Sequence, residues 1–344
     1  MMTGRGRPSF AAGGLARHIP VLLCEALTAL KPEDGDTIID GTFGAGGYSR
    51  AILEAADCRL IAIDRDPDAL ANAQQLTETF PGRFTPVLGR YGEMEHLAGK
   101  LGADAVDGVV LDLGVSSMQL DQPERGFSFA KDGPLDMRMG AEGPTAADIV
   151  NSLKEAQIAD IIYIFGEERR SRAIAKAIVR RRAEAPITRT GTLADIVAGV
   201  LGRSRDDTKH PATRTFQALR LYVNAELDEL AEGLGAAERL LRPGGRLGIL
   251  MNNYLDEGDA DELLEDDKGP VWDALTEARF EIAWIDQTAE LNDFWTRLHE
   301  VATELRDEFA AEGNGFIAEN LIREAERDHL PDIKAGRMTR YMYI

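Results

Sequence analysis

The sequence predicts a doubly wound α/β domain with a mostly parallel sheet, interrupted by an inserted helical domain. Three observations carry this prediction. From Asp36 to about Val115, short apolar strands alternate with helix-length segments: "TIID", "SRAILEAA", "RLIAID", "PDALANAQQL", "RFTPVLG" and "DGVVLDLG". Strands separated by helices imply βαβ units and a parallel sheet. From Ala146 to about Leu201 the pattern is helical, and at "RPGGRLGILM" a Pro-Gly-Gly turn leads into another apolar strand, so the α/β unit resumes.

The elements follow in order. "TIID" ends in Asp40 and opens on a turn with Gly41, Gly44, Gly46 and Gly47, before a helix that starts near Tyr48. Glycine is needed in such a turn because a Cβ would block a cofactor or forbid the required dihedrals. A nicotinamide fingerprint would read G-x-G-x-x-G, whereas Gly44-x-Gly46 is followed by Ser49, so the turn alone does not fix the cofactor. The second strand ends in Asp64, where an acid can accept both hydroxyls of an adenosine ribose. Asp66 and Pro67 read as a helix cap with proline at the first helical position. Tyr91, just after the third strand, is placed to cover an adenine. Asp112 and Gln119 lie around the end of the fourth, where a carboxylate and an amide can recognise the adenine amino group, the amino-acid portion of a cofactor, or the group that receives chemistry. Hydrogen bonding within the loop is the competing reading for both.

Residues 116 to 145, rich in Gly, Pro, Asp and Ser, read as a long functional loop. "IADIIYIFG", "SRAIAKAIVRRRAEA" and "TRTGTLADIVAGVLG" read as helices, the last starting on threonine caps. "TRTFQALRLYVNAELDELAEGLGAAERLL" reads as one further helix. Beyond the resumed strand come a charge run at 256 to 268, a strand candidate "RFEIAWID" and amphipathic helical sequence. The expected division is a flexible N-terminus at 1–16, the α/β domain at 17–145 and 206–290, the helical insertion at 146–205, and an acidic helical tail at 291–344.

A chain of 344 residues that is 44% hydrophobic can bury a substantial core. Cys24 and Cys58 have no metal-ligand spacing; both read as buried small hydrophobes in a reducing compartment. The segment "MMTGRGRPSFAAGG" is followed by no apolar run of signal length, and no 18 uncharged apolar residues occur in a row, so a soluble, cytoplasmic protein without membrane contact is expected. The net charge of -20 is unevenly spread: residues 252–344 hold 24 acids and 9 bases, whereas Phe165 to Arg220 holds 13 Lys/Arg against 6 Asp/Glu. A basic segment inside an acidic protein keeps a nucleic-acid partner in play. No P-loop, zinc spacing or serine-histidine-acid set is present.

The ordered set "HIPVLLCEAL", "DGTFGAGGYSRAIL", "AIDRDP", "LDLGVSSMQLDQPERGFSFAKDGPLDMRM", "FGEERRSRAIAKAIV" and "KHPATRTFQALRLYVNAEL", over about residues 17 to 250, resembles the bacterial 16S ribosomal RNA cytosine-N4 methyltransferase family. The resemblance implies a class I, Rossmann-like methyltransferase fold, S-adenosylmethionine as cofactor, and methylation of the exocyclic amine of a cytidine in the small ribosomal subunit. By the same resemblance the cofactor positions are Gly46, Gly47, Tyr48, Asp64, Tyr91, Asp112 and Gln119. The family usually has histidine where this chain has Tyr48, whose backbone contact is expected to survive. After "RPGGRL" the family continues into a Ser-Phe-His-Ser-Leu-Glu-Asp-Arg run and a basic tail, whereas this chain reads "GILMNNYLDEGDADELLEDDKG" and turns acidic.

Methyl transfer to a cytosine amine is an in-line displacement in which positioning contributes most. The amine lone pair is delocalised into the ring, and an acceptor on its hydrogens would localise it. The Asp/Asn-Pro-Pro-aromatic motif of other amino methyltransferases is absent, which leaves Asp112 and Asp136 as catalytic candidates, with an ion pair to Arg138 as the alternative for Asp136. Arg169, Arg170, Arg172, Lys176 and Arg180 to Arg182, with Lys209, His210 and Arg214 near the junction, are the expected contacts to RNA phosphates; a solvated helix face is the alternative. Two readings compete with the enzyme. One is a cofactor-binding but catalytically silent RNA- or ribosome-binding protein, motivated by the altered C-terminal third. The other is a nicotinamide-dependent oxidoreductase, against which the missing third glycine and "LDLGVSS" count. Oligomeric state stays open, a homodimer included.

Overall fold

The computed structural model describes residues 23–202 and 210–254, the backbone strands Trp284–Asp286 and Met338–Tyr343, and Thr296 and Thr303. Its strands are β1 (Thr37–Asp40), β2 (Arg59–Asp64), β3 (Phe84–Leu88), β4 (Val106–Leu113), β5 (Leu241–Tyr254), β6 (Trp284–Asp286) and β7 (Met338–Tyr343). They form one sheet in the order β3-β2-β1-β4-β5-β7-β6. The first five pair in parallel, and β7 runs antiparallel to both β5 and β6. Chain order reverses between β1 and β4, which opens a crevice at the carboxyl ends of those strands.

The helices of the α/β part are α1 (Leu23–Leu30), α2 (Gly47–Ala55), α3 (Pro67–Ala71), α4 (Ala73–Thr79), α5 (Met94–Lys100) and the short α6 (Ser117–Asp121). There follow α7 (Ala146–Ser152), α8 (Glu155–Gly166), α9 (Ser171–Arg182), α10 (Thr190–Leu201), α11 (Thr213–Asn224) and α12 (Glu226–Leu240). The strands are near-continuous apolar runs because both faces of the sheet are covered. Successive residues point to opposite faces. Ile38, Leu60 and Val110 pack with Leu30, Ile52, Leu53 and Leu76 on one side. Ile39, Ile61, Ile63, Val109 and Leu111 pack with Met94, Leu234, Ala237 and Leu240 on the other.

The helical unit has its own core. Ile158 and Ile162, Ile174 and Ile178, and Leu193 and Val197 recur at four-residue spacing, so each pair lies on one face of its helix, and all six are buried. Burying each such side chain stabilises by about 1.5–3 kcal/mol. Gly166 lets α8 approach α11, since a Cβ there would lie 2.6 Å from the Arg214 carbonyl oxygen. This core reaches beyond residues 146–205. It takes in Phe127, Leu135, Met137 and Met139 from the long loop and Phe216 and Leu219 from α11.

Four details depart from expectation. The single helix expected from Thr213 onward is two, broken at Ala225, which adopts φ 48° between α11 and α12. A left-handed residue interrupts the hydrogen-bond ladder, and the side chains on either side of the break, Asn224 and Glu229, are committed to tertiary partners. Helix α10 is not capped by its threonines. Arg189 at its N-cap offers no side-chain bond, and Asp132 of the long loop accepts the Gly191 N–H at 2.9 Å instead. Cys24 is exposed, although Cys58 is buried. Within the acidic C-terminal region, read as helical tail, residues 338–343 are strand β7. The 1–16 segment and most of 291–344 lie outside the described residues. Among the described residues no helix is long and apolar enough to cross a membrane.

Candidate active site

The turn after β1 supplies the floor of the crevice. Gly44 and Gly46 adopt φ 52° and 77°, and Gly46 is the N-cap of α2. A Cβ on Gly46 would meet the Phe43 ring at 2.8 Å, and one on Gly41 would run into Leu111 and Tyr91. The positive φ and the Phe43 ring require glycine at Gly46, and Gly41 is tightly packed. Gly47 and Tyr48 begin α2, and the Tyr48 ring is buried in the core under the turn.

Three carboxylates gather at the strand ends. Asp64 closes the turn by accepting the Gly44 N–H on Oδ2 and the Asp66 N–H on Oδ1, both at 2.8 Å. Burial pushes its carboxyl up, against the pull of those bonds. Asp40 is fully buried and accepts the Ser49 hydroxyl at 2.7 Å and the Thr42 N–H at 3.2 Å. Burial, only partly opposed by those two donors and reinforced by Asp64 and Asp112, raises its pKa to about 6. Asp112 is exposed near the carboxyl end of β4, and its N–H donates to Thr42 Oγ1 at 2.7 Å. Thr42 therefore links the turn to β4, and with it two of the three acids. Sequence reasoning assigned Asp40 no role beyond ending a strand, although an acid directly before a glycine cluster was the available signal.

The remaining predicted cofactor residues are placed as follows. The Tyr91 ring lies against Gly233 of α12, where a Cβ would come within 2.5 Å of it, and its N–H donates to Glu229 at 3.2 Å. Burial, then Glu229 and Glu226, push its phenol upward, so it stays protonated. Gln119 is buried in a capping box with Ser116 at the start of α6, and its Nε2 donates to Asp66 Oδ2 at 2.9 Å. Asp66 is the cap of α3 that the sequence suggested, accepting the Asp68 N–H, and it also holds Gln119. Glu229, buried, binds Arg65 at 2.7 Å and Arg90 at 3.2 Å. Its role was not read from the sequence.

Asp136 sits in a two-pronged pair with Arg138, both contacts at 2.8 Å. Burial alone would raise its carboxyl, but the Arg138 bonds outweigh that and hold it below the usual carboxylate range. The long loop that carries Asp136 is sewn to the helical unit. Phe129 packs between His210 and, edge-on, Phe216, with ring centroids 4.5 and 4.8 Å away, and Leu135 N–H donates to the Thr188 carbonyl at 2.9 Å.

Among the expected RNA contacts, Arg172, Lys176 and Arg180 form an exposed stripe along α9, with Arg169 and Arg170 exposed just before it. Arg182 differs: its Nη1 donates to the Val150 carbonyl at 2.6 Å and it braces α7. Arg214 donates to the Glu167 carbonyl at 3.1 Å, and His210 Nδ1 accepts the Ala212 N–H at 3.1 Å. Lys209 lies outside the described residues.

A glycine turn feeding a helix, acids at the ends of β1, β2 and β4, and a parallel sheet completed by an antiparallel β7 together define a class I S-adenosylmethionine-dependent methyltransferase. The donor set fits that cofactor: Asp64 has lone pairs left for ribose hydroxyls, and the Gly44 side of the turn is open, an added Cβ meeting nothing nearer than the Thr42 carbonyl oxygen at 3.9 Å. The family model described as the MraW methylase family matches residues 15–265. A protein from Azorhizobium caulinodans is 58% identical over 258 residues, spanning 75% of this chain and 74% of that relative. Proteins from Parvibaculum lavamentivorans and Rhodospirillum rubrum are each 59% identical, over 70% and 71% of this chain and 71% and 74% of their own lengths. All three are named ribosomal RNA small subunit methyltransferase H. The chain belongs to the MraW methylase family.

Proposed function

We propose that the chain transfers the methyl group of S-adenosylmethionine to the exocyclic N4 amine of a cytidine in 16S rRNA of the small ribosomal subunit. The observation that carries this reading is the placement of Asp112: an exposed carboxylate at the mouth of the sheet, tied through Thr42 to the cofactor turn. Gly46, Gly47 and the Tyr48 backbone would hold the amino-acid end of the cofactor. Asp64 would hold its ribose, with Tyr91 and Gln119 shaping the rim through Gly233 and Asp66. When bound, the cofactor supplies an electrophilic methyl on a sulfonium.

The residues of the chain then position and deprotonate. A cytidine extruded from its stack enters between the sheet edge and the helical unit. Asp112 accepts a hydrogen bond from the amine, localising the nitrogen lone pair, and takes the proton released as the nitrogen gains its fourth bond. Asp136 is the second candidate acceptor, and its pair with Arg138 has to open before it can serve. The basic stripe of α9, in the insertion at 146–205, neutralises RNA phosphates and fixes register without reading sequence.

The catalytically silent alternative drew on the departure of the C-terminal third. Strand β7 within that third pairs with β5, so the divergent third still contributes to the sheet. The test is transfer of labelled methyl to small subunits from cells that lack the modification, followed by nucleoside analysis. N4-methylcytidine is the expected product. Cofactor binding without label in RNA would sink the enzyme reading and favour the silent one.

A further inference from the structure

Two side chains, Arg125 and Asn224, tie the residues just after β2 to the long loop that carries Asp136. Arg125, with 17% of its side chain exposed, has its guanidinium on four acceptors. Nη1 donates to Asp68 Oδ2 at 3.2 Å, and Nη2 meets Asp66 Oδ2 at 2.8 Å and the carbonyls of Arg138 and Met139 at 3.1 and 3.0 Å. Asn224, 2% exposed, works from the other side. Its Oδ1 accepts the Met139 N–H at 2.8 Å, its Nδ2 donates to the Met137 carbonyl at 2.7 Å, and its own carbonyl accepts Arg65 Nη1 at 2.8 Å.

Both clamps converge on Met137–Met139, and both start from the residues that directly follow Asp64. Met137 is fully buried and adopts φ 66°. A residue with a side chain keeps that backbone only where its surroundings over-determine it, and such positions cluster where geometry matters for function. The Met137 N–H is itself held by the Arg125 carbonyl at 3.0 Å.

We propose that Arg125 and Asn224 are positioning residues for methyl transfer, coupling the residues that follow Asp64 to the Asp136–Met139 segment so that this segment is set where the target base docks. The proposal rests on the RNA-methylation reading above. Lysine cannot replace Arg125, because one ammonium cannot span acceptors on α3 and on two successive loop carbonyls. Aspartate cannot replace Asn224, because it would turn a carboxylate oxygen toward the Met137 and Arg220 carbonyls that Nδ2 now serves.

The test compares the full chain with Arg125→Lys, Asn224→Asp and the double variant, on small subunits lacking the modification. The readouts are kcat and KM for subunits, S-adenosylhomocysteine affinity with and without subunits, and circular dichroism. Each single variant is expected to lose about 100-fold in kcat, the scale of a misplacement of about 1 Å, with a smaller change in KM. Because both clamps act on one segment, the double variant should lose less than the product of the singles. Tightening of S-adenosylhomocysteine by bound subunit, ~5-fold or more in the unmutated chain, should fall toward unity. Wild-type kcat in the folded variants, strictly multiplicative losses, or losses matching the unfolded fraction would overturn the proposal. An unmutated chain that transfers no label overturns the RNA reading itself, and the proposal falls with it; the two failures are told apart because the first appears only in the variants.

Discussion

Asp40 has no exposed surface, yet it carries a carboxyl whose burial makes stability depend on pH. Its folded pKa is raised to about 6 from 3.8, so between those values the folded chain holds a proton that the unfolded chain has released. Its contribution to stability is therefore fully present below the unfolded pKa and is lost as pH rises through about 6, on the order of 3 kcal/mol in all. Asp40→Asn removes the ionisation. The stability of that variant relative to the unmutated chain should rise from pH 4 to pH 7 and be flat above, as read by urea unfolding at each pH. A difference that does not change with pH would mean that Asp40 is not the titrating group. Asp112 belongs to the chemistry instead, so Asp112→Ala should lower kcat by about 10²–10⁴-fold while folding is kept, whereas Asp64→Ala should show first as lost S-adenosylhomocysteine binding in calorimetry. Asp64, Asp66 and the glycines were legible in the sequence by their place at a strand end, a helix cap and a turn, although Asp64 and Asp66 also bind Gly44 and Gln119. Asn224, Glu229 and Arg125 were not, because their partners lie far away along the chain, as with Asn224 and Met139 or Arg65 and Glu229, and no periodicity records such a pairing.

At the scale of elements, the first five strands and most helices could be read from apolar runs and four-residue spacing, whereas β7 was hidden in sequence that reads as helical tail; the departures at Ala225 and α10 have tertiary causes. Ala225 looks like the interior of a good helix, but the Asn224 and Glu229 contacts on either side are satisfied only if the chain turns there. Helix α10 reads as threonine-capped, but the Asp132 carboxylate that caps it comes from the long loop. The stripe on α9 reads as an RNA contact from its charge, but exposure at i, i+4, i+8 is equally the pattern of a solvated face. That ambiguity can be tested. Replacing Arg172, Lys176 and Arg180 by glutamine should weaken binding to small subunits and reduce the slope of log affinity against log salt by about 1 for each phosphate no longer neutralised. An unchanged slope would assign the stripe to solvent and move RNA recognition elsewhere on the unit.

On the scale of the whole molecule, the acidic surplus and the basic stripe are segregated along the chain, so a net charge of -20 coexists with a positive face. The acidic region also supplies structure. Strand β7 pairs with β5 from Ile249↔Tyr343 to Tyr254↔Met338, and β6 reaches the sheet through β7. Removing residues 338–344 would strip β5 of that neighbour, detach β6, and expose a long, unprotected strand edge, the surface through which sheets aggregate. At about 0.5–1.5 kcal/mol for each hydrogen bond of a six-residue ladder, the loss is on the order of 5 kcal/mol. With ~2–4 °C of Tm per kcal/mol for a large domain, the truncated chain should melt ~10 °C or more below the full chain and elute partly as aggregate. The acids that line the crevice sit on β1, β2 and β4, none of which pairs with β7, so whatever fraction stays folded should still gain Tm from S-adenosylhomocysteine. A truncated chain that melts with the full-length protein would show that β7 adds no stability. One that melts lower and also fails to respond to the ligand would show that pairing of β7 with β5 is needed to hold the crevice in shape.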